Sequence, residues 1–262
     1  MSYQVLVGTG GIAGWALLNR TEIRQRELVA NDRAVASASD NFRGKIGSVS
    51  AASDLVNDYR LLDVSLKAFG LEGDIHNRAF IRKVLESDLS DERSLANRLS
   101  NKAYLRMAET FGFSEKDEPP VRAPGAVEEI ISAYVDREFD RRVGQSDQNL
   151  RLALNARREL AALAQRDASE TTKWYEVLGS TPLRKVFQGA FGFSDAYGKL
   201  PIERQKNEYI QAADRMFGSG GMSNFSSPEN VEKLIRRFLA RSASPTSSVT
   251  NRYAAALTLL SR

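Results

Sequence analysis

Val5-Leu6-Val7 followed by Gly8-Thr9-Gly10-Gly11-Ile12-Ala13 has the form of a short strand running into a G-x-G-x-x-A turn. Glycines at such a turn let backbone N–H groups approach a pyrophosphate, and the helix N-terminus beyond them favours its charge. Asp32, after Leu28-Val29-Ala30-Asn31, stands at about the spacing where a dinucleotide fold places the acid that holds a ribose. The context does not continue. A doubly wound sheet needs further buried strands, and no β-branched runs alternate with helices after Asp32. The favoured reading is a glycine-rich terminus leading into an amphipathic helix around Trp15, Leu18 and Leu28. A nucleotide-binding enzyme is the alternative.

Other reactive residue types stand in unreactive patterns. His76, in Asp74-Ile75-His76-Asn77-Arg78, sits beside an acid at an expected helix start, where a cap or surface role is the simpler one. Glu128 and Glu129 are adjacent, so they point in different directions around a helix and suit its N-terminal dipole better than acid–base catalysis. Ser65 and Ser180 lack a G-x-S-x-G elbow, and one histidine leaves little for a triad. Arg141-Arg142, Arg157-Arg158 and Arg236-Arg237 with Arg241 are interleaved with Glu138, Asp140, Glu159 and Glu232, which reads as solvated helix faces. No catalytic, cofactor-binding or metal-binding residue is assigned. The expectation is a protein that is not an enzyme and needs no metal or organic cofactor.

Composition narrows the classes further. The chain has no cysteine and one histidine, which excludes disulfides, thiolate metal sites, iron–sulfur clusters and His-rich zinc sites. Thirty-seven Lys+Arg against 33 Asp+Glu give a net charge of +4, too small an excess to point to nucleic acid, so a basic nucleic-acid-binding regulator is only a further alternative. At 42% hydrophobic and 27% charged residues, the 262-residue chain reads as globular, not as wholesale disordered. No apolar run approaches the roughly 18 residues of a membrane span. The start has no basic n-region or long apolar stretch, so no classical signal peptide is expected.

The elements that must position these residues are helical. Leu55, Val56, Tyr59, Leu62, Leu66 and Phe69 share one face, with Ser53 as expected N-cap and Asp54 in the first turn. Gly70 reads as the left-handed stop, with Leu71 folding back on Leu66. Thr110-Phe111-Gly112-Phe113 and Ala190-Phe191-Gly192-Phe193 repeat that punctuation. Leu89-Ser90-Asp91-Glu92 and Phe225-Ser226-Ser227-Pro228-Glu229 both look like an apolar residue, a serine cap and an acidic first turn. Together these suggest a weak internal duplication, 53–113 and 172–241. Ser114–Pro124 reads as a connector, Ala123 or Pro124 as the opening of a helix that stops at Gly144, and Asp147 as the cap of the next helix. These two helices form an expected antiparallel hairpin over 124–166.

The expected fold class is therefore all-α, with two related helical halves around a central antiparallel hairpin. Residues 1–50 form a glycine-rich, partly flexible segment, in which Ala34–Asp40 is small and polar. Residues 51–241 form the helical core, where Glu229–Arg241 shows one apolar face. Residues 242–262 form a linker and a short helix that aligns Tyr253, Ala256, Leu257 and Leu260. Both ends are expected to be mobile or partner-dependent.

Several stretches resemble one alphaproteobacterial family of unassigned function whose genes often lie among flagellar genes. They are Gly10-Gly11-Ile12-Ala13-Gly14-Trp15 with Leu18 and Arg20-Thr21, Asp54-Leu55-Val56 with Asp58, and Leu61-Leu62 through Ala68-Phe69-Gly70-Leu71. Phe80-Ile81-Arg82-Lys83-Val84-Leu85-Glu86, Leu95-Ala96-Asn97-Arg98-Leu99, Arg137-Glu138-Phe139, Val143-Gly144 and Arg151-Leu152-Ala153-Leu154 continue the match in order. The resemblance implies that the glycine-rich start is a terminal signature and not a phosphate loop. It brings no catalytic residues. By association it implies a non-enzymatic structural, assembly or interaction protein of the flagellum, whose partners are other proteins, flagellar components among them. Such a protein is cytoplasmic or exported into the flagellum.

Overall fold

The computed structural model describes residues 3–113, 121 and 123–243. Among the described residues there are thirteen α-helices and no strand. The chain divides into two compact units. Within the described residues the first takes 3–7 and 17–146, and the second takes 8–16 and 147–243.

In the first unit, α1 (Gly11–Ala30, entering from residue 17) is followed by α2 (Arg33–Lys45), α3 (Ala52–Asn57), α4 (Tyr59–Phe69) and α5 (Arg78–Leu85). Then come α6 (Leu95–Arg98), α7 (Ala103–Phe111) and α8 (Ala126–Ser146). Helix α4 packs along α8, and α2 packs on both. Leu62, Leu66, Phe42, Phe139 and Val143 are fully buried there, so the apolar stripes close one core. Beside it, α5, α6 and α7 close a smaller cluster around Val84, Ala96 and Ala108.

In the second unit, α9 (Gln148–Gln165), α10 (Glu170–Gly179), α11 (Thr181–Phe191), α12 (Ile202–Phe217) and α13 (Pro228–Ala243) surround an aromatic centre. Trp174 meets Phe187 edge-on at 5.5 Å between centroids, and Phe187 meets Phe225 the same way at 5.3 Å. This is the favourable geometry for rings with negative faces and positive edges.

The glycine stops are where the sequence places them. Gly70, Gly112 and Gly192 lie at φ 73°, 59° and 81°, and Leu71 N–H donates to the Leu66 carbonyl at 2.8 Å. That is the Schellman closure expected for Leu71. Asp147 caps α9, accepting from Asn149 and Leu150.

Other boundaries differ from expectation. The single helix expected over 53–69 breaks at Asp58, whose carboxylate accepts from Arg60 N and Leu61 N and starts α4 afresh. Tyr59 is thereby turned outward. Ala51, not Ser53, precedes α3, and Asp54 folds back to accept its N–H at 3.0 Å. Gly144 does not stop α8, which runs to Ser146, and α8 opens at Ala126 rather than at Ala123 or Pro124. Leu89–Glu92 is a turn, and the following helix begins after Ser94. Ala34–Asp40, expected to be flexible, lies inside α2, where Val35, Ser39 and Phe42 form a buried i, i+4, i+7 stripe. Around Trp15 and Leu18, Gln25 and Val29 are buried while Leu28 is exposed. The expected helix over 253–260, and the connector apart from Val121, Ala123 and Pro124, lie outside the described residues.

Candidate functional site

The glycine turn has the geometry its sequence suggests and a different occupant. Gly8, Gly10 and Gly11 take φ values of 58°, 73° and 55°, conformations that side-chain-bearing residues avoid. Gly14 N–H donates to the Gly10 carbonyl at 2.8 Å, which opens α1. The free N–H of Gly11 donates to Asp147 Oδ2 at 3.0 Å. A Cβ on Gly10 would lie 2.5 Å from that same oxygen. Asp147 Oδ1 meanwhile accepts from Asn149 N at 2.8 Å and Leu150 N at 3.2 Å. One carboxylate thus caps two helices, and it stands where a bound phosphate would stand.

One residue beyond the turn's first helical positions, Trp15 is buried and doubly held. Its Nε1–H donates to both Glu232 oxygens, at 2.9 and 3.1 Å, and the Arg157 guanidinium lies 5.0 Å from the ring centroid. Arg236 braces Glu232 at 2.6 Å.

Asp32 belongs to the first unit and serves a different purpose from ribose binding. Its carboxylate accepts from Ala34 N as the cap of α2, from Tyr3 N at 2.8 Å, and from Arg142 Nη1 at 3.2 Å. The same guanidinium donates to the Tyr3 carbonyl at 2.8 Å. The hydrogen bond from Arg142, then that from Tyr3 N–H, hold the Asp32 carboxyl far below the usual carboxylate range. Arg142 is therefore buried in an ion pair and not on a solvated face, which corrects the reading of the Arg141-Arg142 pair. Gln25, which the sequence does not single out, completes the group. Its Oε1 accepts from Leu6 N at 2.7 Å and from the Tyr3 hydroxyl at 3.1 Å, and its Nε2 donates to the Leu6 carbonyl at 3.0 Å.

A third polar group lies between α4 and α8. Lys67 Nζ sits 2.8 Å from Asp63 and 3.4 Å from Glu138, and Arg141 donates to Glu138 Oε2 at 2.8 Å. Burial pushes Glu138 up, but the Arg141 hydrogen bonds and the charges of Arg141 and Lys67 outweigh it and leave the carboxyl below its ordinary value. Burial pushes the neighbouring Tyr134 phenol up to about 12. The remaining sequence candidates are dispersed. His76 is exposed, and the nearby Asp74 is engaged by Asn77 and Tyr104. Glu128 pairs with Arg43 at 2.7 Å on the surface. Ser65 donates to the Leu61 carbonyl inside α4, and Ser180 caps α11. Among the described residues no group of His, Asp and Glu forms a metal-binding cluster, and no helix is long and apolar enough to cross a membrane.

These carboxylates and guanidinia hold backbone and rings in place, which is what their distances equip them to do. A search of curated proteins finds no match. A crystal structure of a protein from Agrobacterium tumefaciens, from a structural genomics programme, is similar at a TM-score of 0.74 and 26% identity. The similarity covers 94% of this chain and 99% of that one. The family described as "Protein of unknown function (DUF1217)" matches residues 68–231. With most of its length matched, the chain belongs to the DUF1217 family.

Proposed function

We propose that this chain is a non-enzymatic assembly or interaction protein of the bacterial flagellum, acting through helix-mediated protein contacts. The flagellar part rests on the alphaproteobacterial resemblance in its sequence. The observation that carries the contact part is the exposure of large apolar side chains on well-held backbone. Ile23 on α1 is 77% exposed and Leu6 is 65% exposed, with Leu28 and Tyr59 also open to water. What weighs against the competing nucleotide reading is the Asp147 carboxylate, which accepts from Gly11 N–H at the glycine turn.

A clean deletion scored for swimming and for assembled filaments, with affinity purification of the full-length protein, tests the reading. Impaired motility and recovery of flagellar components support it. Normal filaments, normal motility and no flagellar partner remove it. Recovery from the filament fraction assigns an exported component, and recovery from the cytosol alone assigns an assembly factor. A thermal shift with NAD(P), FAD, ATP or SAM that is abolished by Gly10→Trp would instead remove this reading in favour of nucleotide binding at the glycine turn. At 100 times its dissociation constant a true ligand stabilises by about 2.7 kcal/mol.

A further inference from the structure

Residues 3–7 are held in the first unit by a seat that reads their backbone. Tyr3 N donates to Asp32 and the Tyr3 carbonyl accepts from Arg142, while Leu6 N and the Leu6 carbonyl both bond the Gln25 side-chain amide. Gln25, Asp32 and Arg142 are 4%, 9% and 5% exposed, so three buried polar side chains point at one short segment. The Gln25 amide offers a donor and an acceptor together, as the edge of a β-sheet would, and Thr21 Oγ1 steadies it by accepting from Nε2 at 2.8 Å. Side chains along the segment alternate. Val5 and Val7 are buried, and Gln4 and Leu6 face water. The alternation matches an extended backbone, with Val5 and Val7 as its two buried β-branched residues.

We propose that this seat is an exchangeable peptide groove whose second occupant is residues 3–7 of another copy of this chain. No helix or sheet ladder ties the segment to its own unit, and ahead of the Gly10-Gly11 turn that Asp147 holds it is followed by Gly8 at φ 58° and Thr9. Such a stretch can redirect the segment at little conformational cost. A second copy brings the same backbone, the same valines and the same glycine pivot, so exchange needs no new contact chemistry. What opposes it is the tether, which holds the chain's own segment at a roughly millimolar effective concentration. Exchange is then favoured where copies are held close together, as in an assembly. This inference stands whether or not the flagellar assignment holds.

The test uses full-length protein and a fluorescent peptide of residues 1–8. The Val5→Asp/Val7→Asp protein, with its own segment expelled, should bind the peptide at least about tenfold more tightly than the unsubstituted protein. A peptide carrying the same two substitutions should not bind. Circular dichroism confirms that the variant keeps its helices. If it does not, the unsubstituted protein gives the answer by hydrogen exchange: excess peptide should accelerate exchange at the amides of Tyr3 and Leu6 and leave that of Leu66 unchanged. Light scattering should show a concentration-dependent dimer that the double substitution abolishes. Absence of peptide binding together with unchanged exchange overturns the groove. Peptide binding without any dimer overturns the second copy as occupant and assigns the groove to an extended segment of a different protein.

Discussion

Asp147 shows how far a single side chain can determine the meaning of a motif. The glycines before α1 need no ligand to explain them, because a carboxylate from the same unit already fills the position at the helix N-terminus. Gly10→Ala would combine a Cβ 2.5 Å from Asp147 Oδ2 with a φ of 73°, and is expected to cost about 1–2 kcal/mol in urea unfolding. Asp147→Ala removes two caps at once and should cost about 2 kcal/mol. The two losses should be less than additive, because both act on the same contact. Asp32 allows a second prediction, of pH dependence. Its pKa is depressed in the folded state by Arg142 and Tyr3 N–H, while in the unfolded chain it titrates near about 3.9. The stabilisation is therefore complete above that unfolded value and drains away as pH falls toward the folded one. Asp32→Asn keeps the shape and the cap without the charge. Its deficit relative to the unsubstituted protein should be largest at neutral pH and shrink steadily between about pH 4 and pH 2. A deficit independent of pH would show that the ion pair contributes nothing. Arg142→Met strands the buried carboxylate and should cost about 3 kcal/mol at neutral pH.

At the scale of elements, the sequence exposed helix ends better than helix beginnings. A left-handed C′ position strongly selects glycine, so Gly70, Gly112 and Gly192 could be read directly. The break at Asp58 could not, because Leu55, Val56 and Leu62 keep a helical rhythm across a one-residue interruption. Helix α2 was hidden by composition. Its alanines and serines look like linker, and only Val35 and Phe42, seven residues apart, mark the buried stripe. The two units reuse one device. Asp58 (φ −88°, ψ 105°) ends α3 and starts α4, and Ser180 (φ −83°, ψ 106°) ends α10 and starts α11. Each following helix ends in a left-handed glycine covered by an arginine, Arg137 over Gly70 and Arg241 over Gly192. That parallel supports the proposal that the halves are related. Packing tightness at helical glycines gives a paired prediction. Gly44 in α2 has open space around it, so Gly44→Ala should stabilise by up to about 1 kcal/mol. Gly189 in α11 lies where a Cβ would meet Phe238 Cδ2 at 2.6 Å, and that ring is buried. Gly189→Ala should therefore destabilise by about 1–3 kcal/mol, although alanine is the better helix former. Equal effects at the two sites would show that α11 and α13 do not approach this closely.

Across the whole molecule, composition was informative about classes of chemistry and uninformative about which polar groups would be buried. Arg142 and Glu138 carry no mark in the sequence that distinguishes them from exposed neighbours, because burial of a charge depends on partners that are distant along the chain. The same reasoning applies to the first fifty residues. Read locally, Ser37–Ser53 is rich in Ser, Ala and Gly and looks like a segment that a protease would trim. In the fold, Leu18, Val29, Val35 and Phe42 are fully buried in the first unit, and Arg26 is paired with Asp136 of α8. The family match begins at residue 68, yet upstream of it α2 packs on both α4 and α8, and Arg26 ties α1 to α8. Limited trypsin digestion should therefore spare Arg20 and Arg26 as long as it spares Arg142, with fragments identified by mass. Cleavage at Arg20 or Arg26 well before Arg142 would show that α1 and α2 come away from the first unit as a separate, less stable piece. That result would also weaken the seat of residues 3–7, since Gln25 and Asp32 would leave with them.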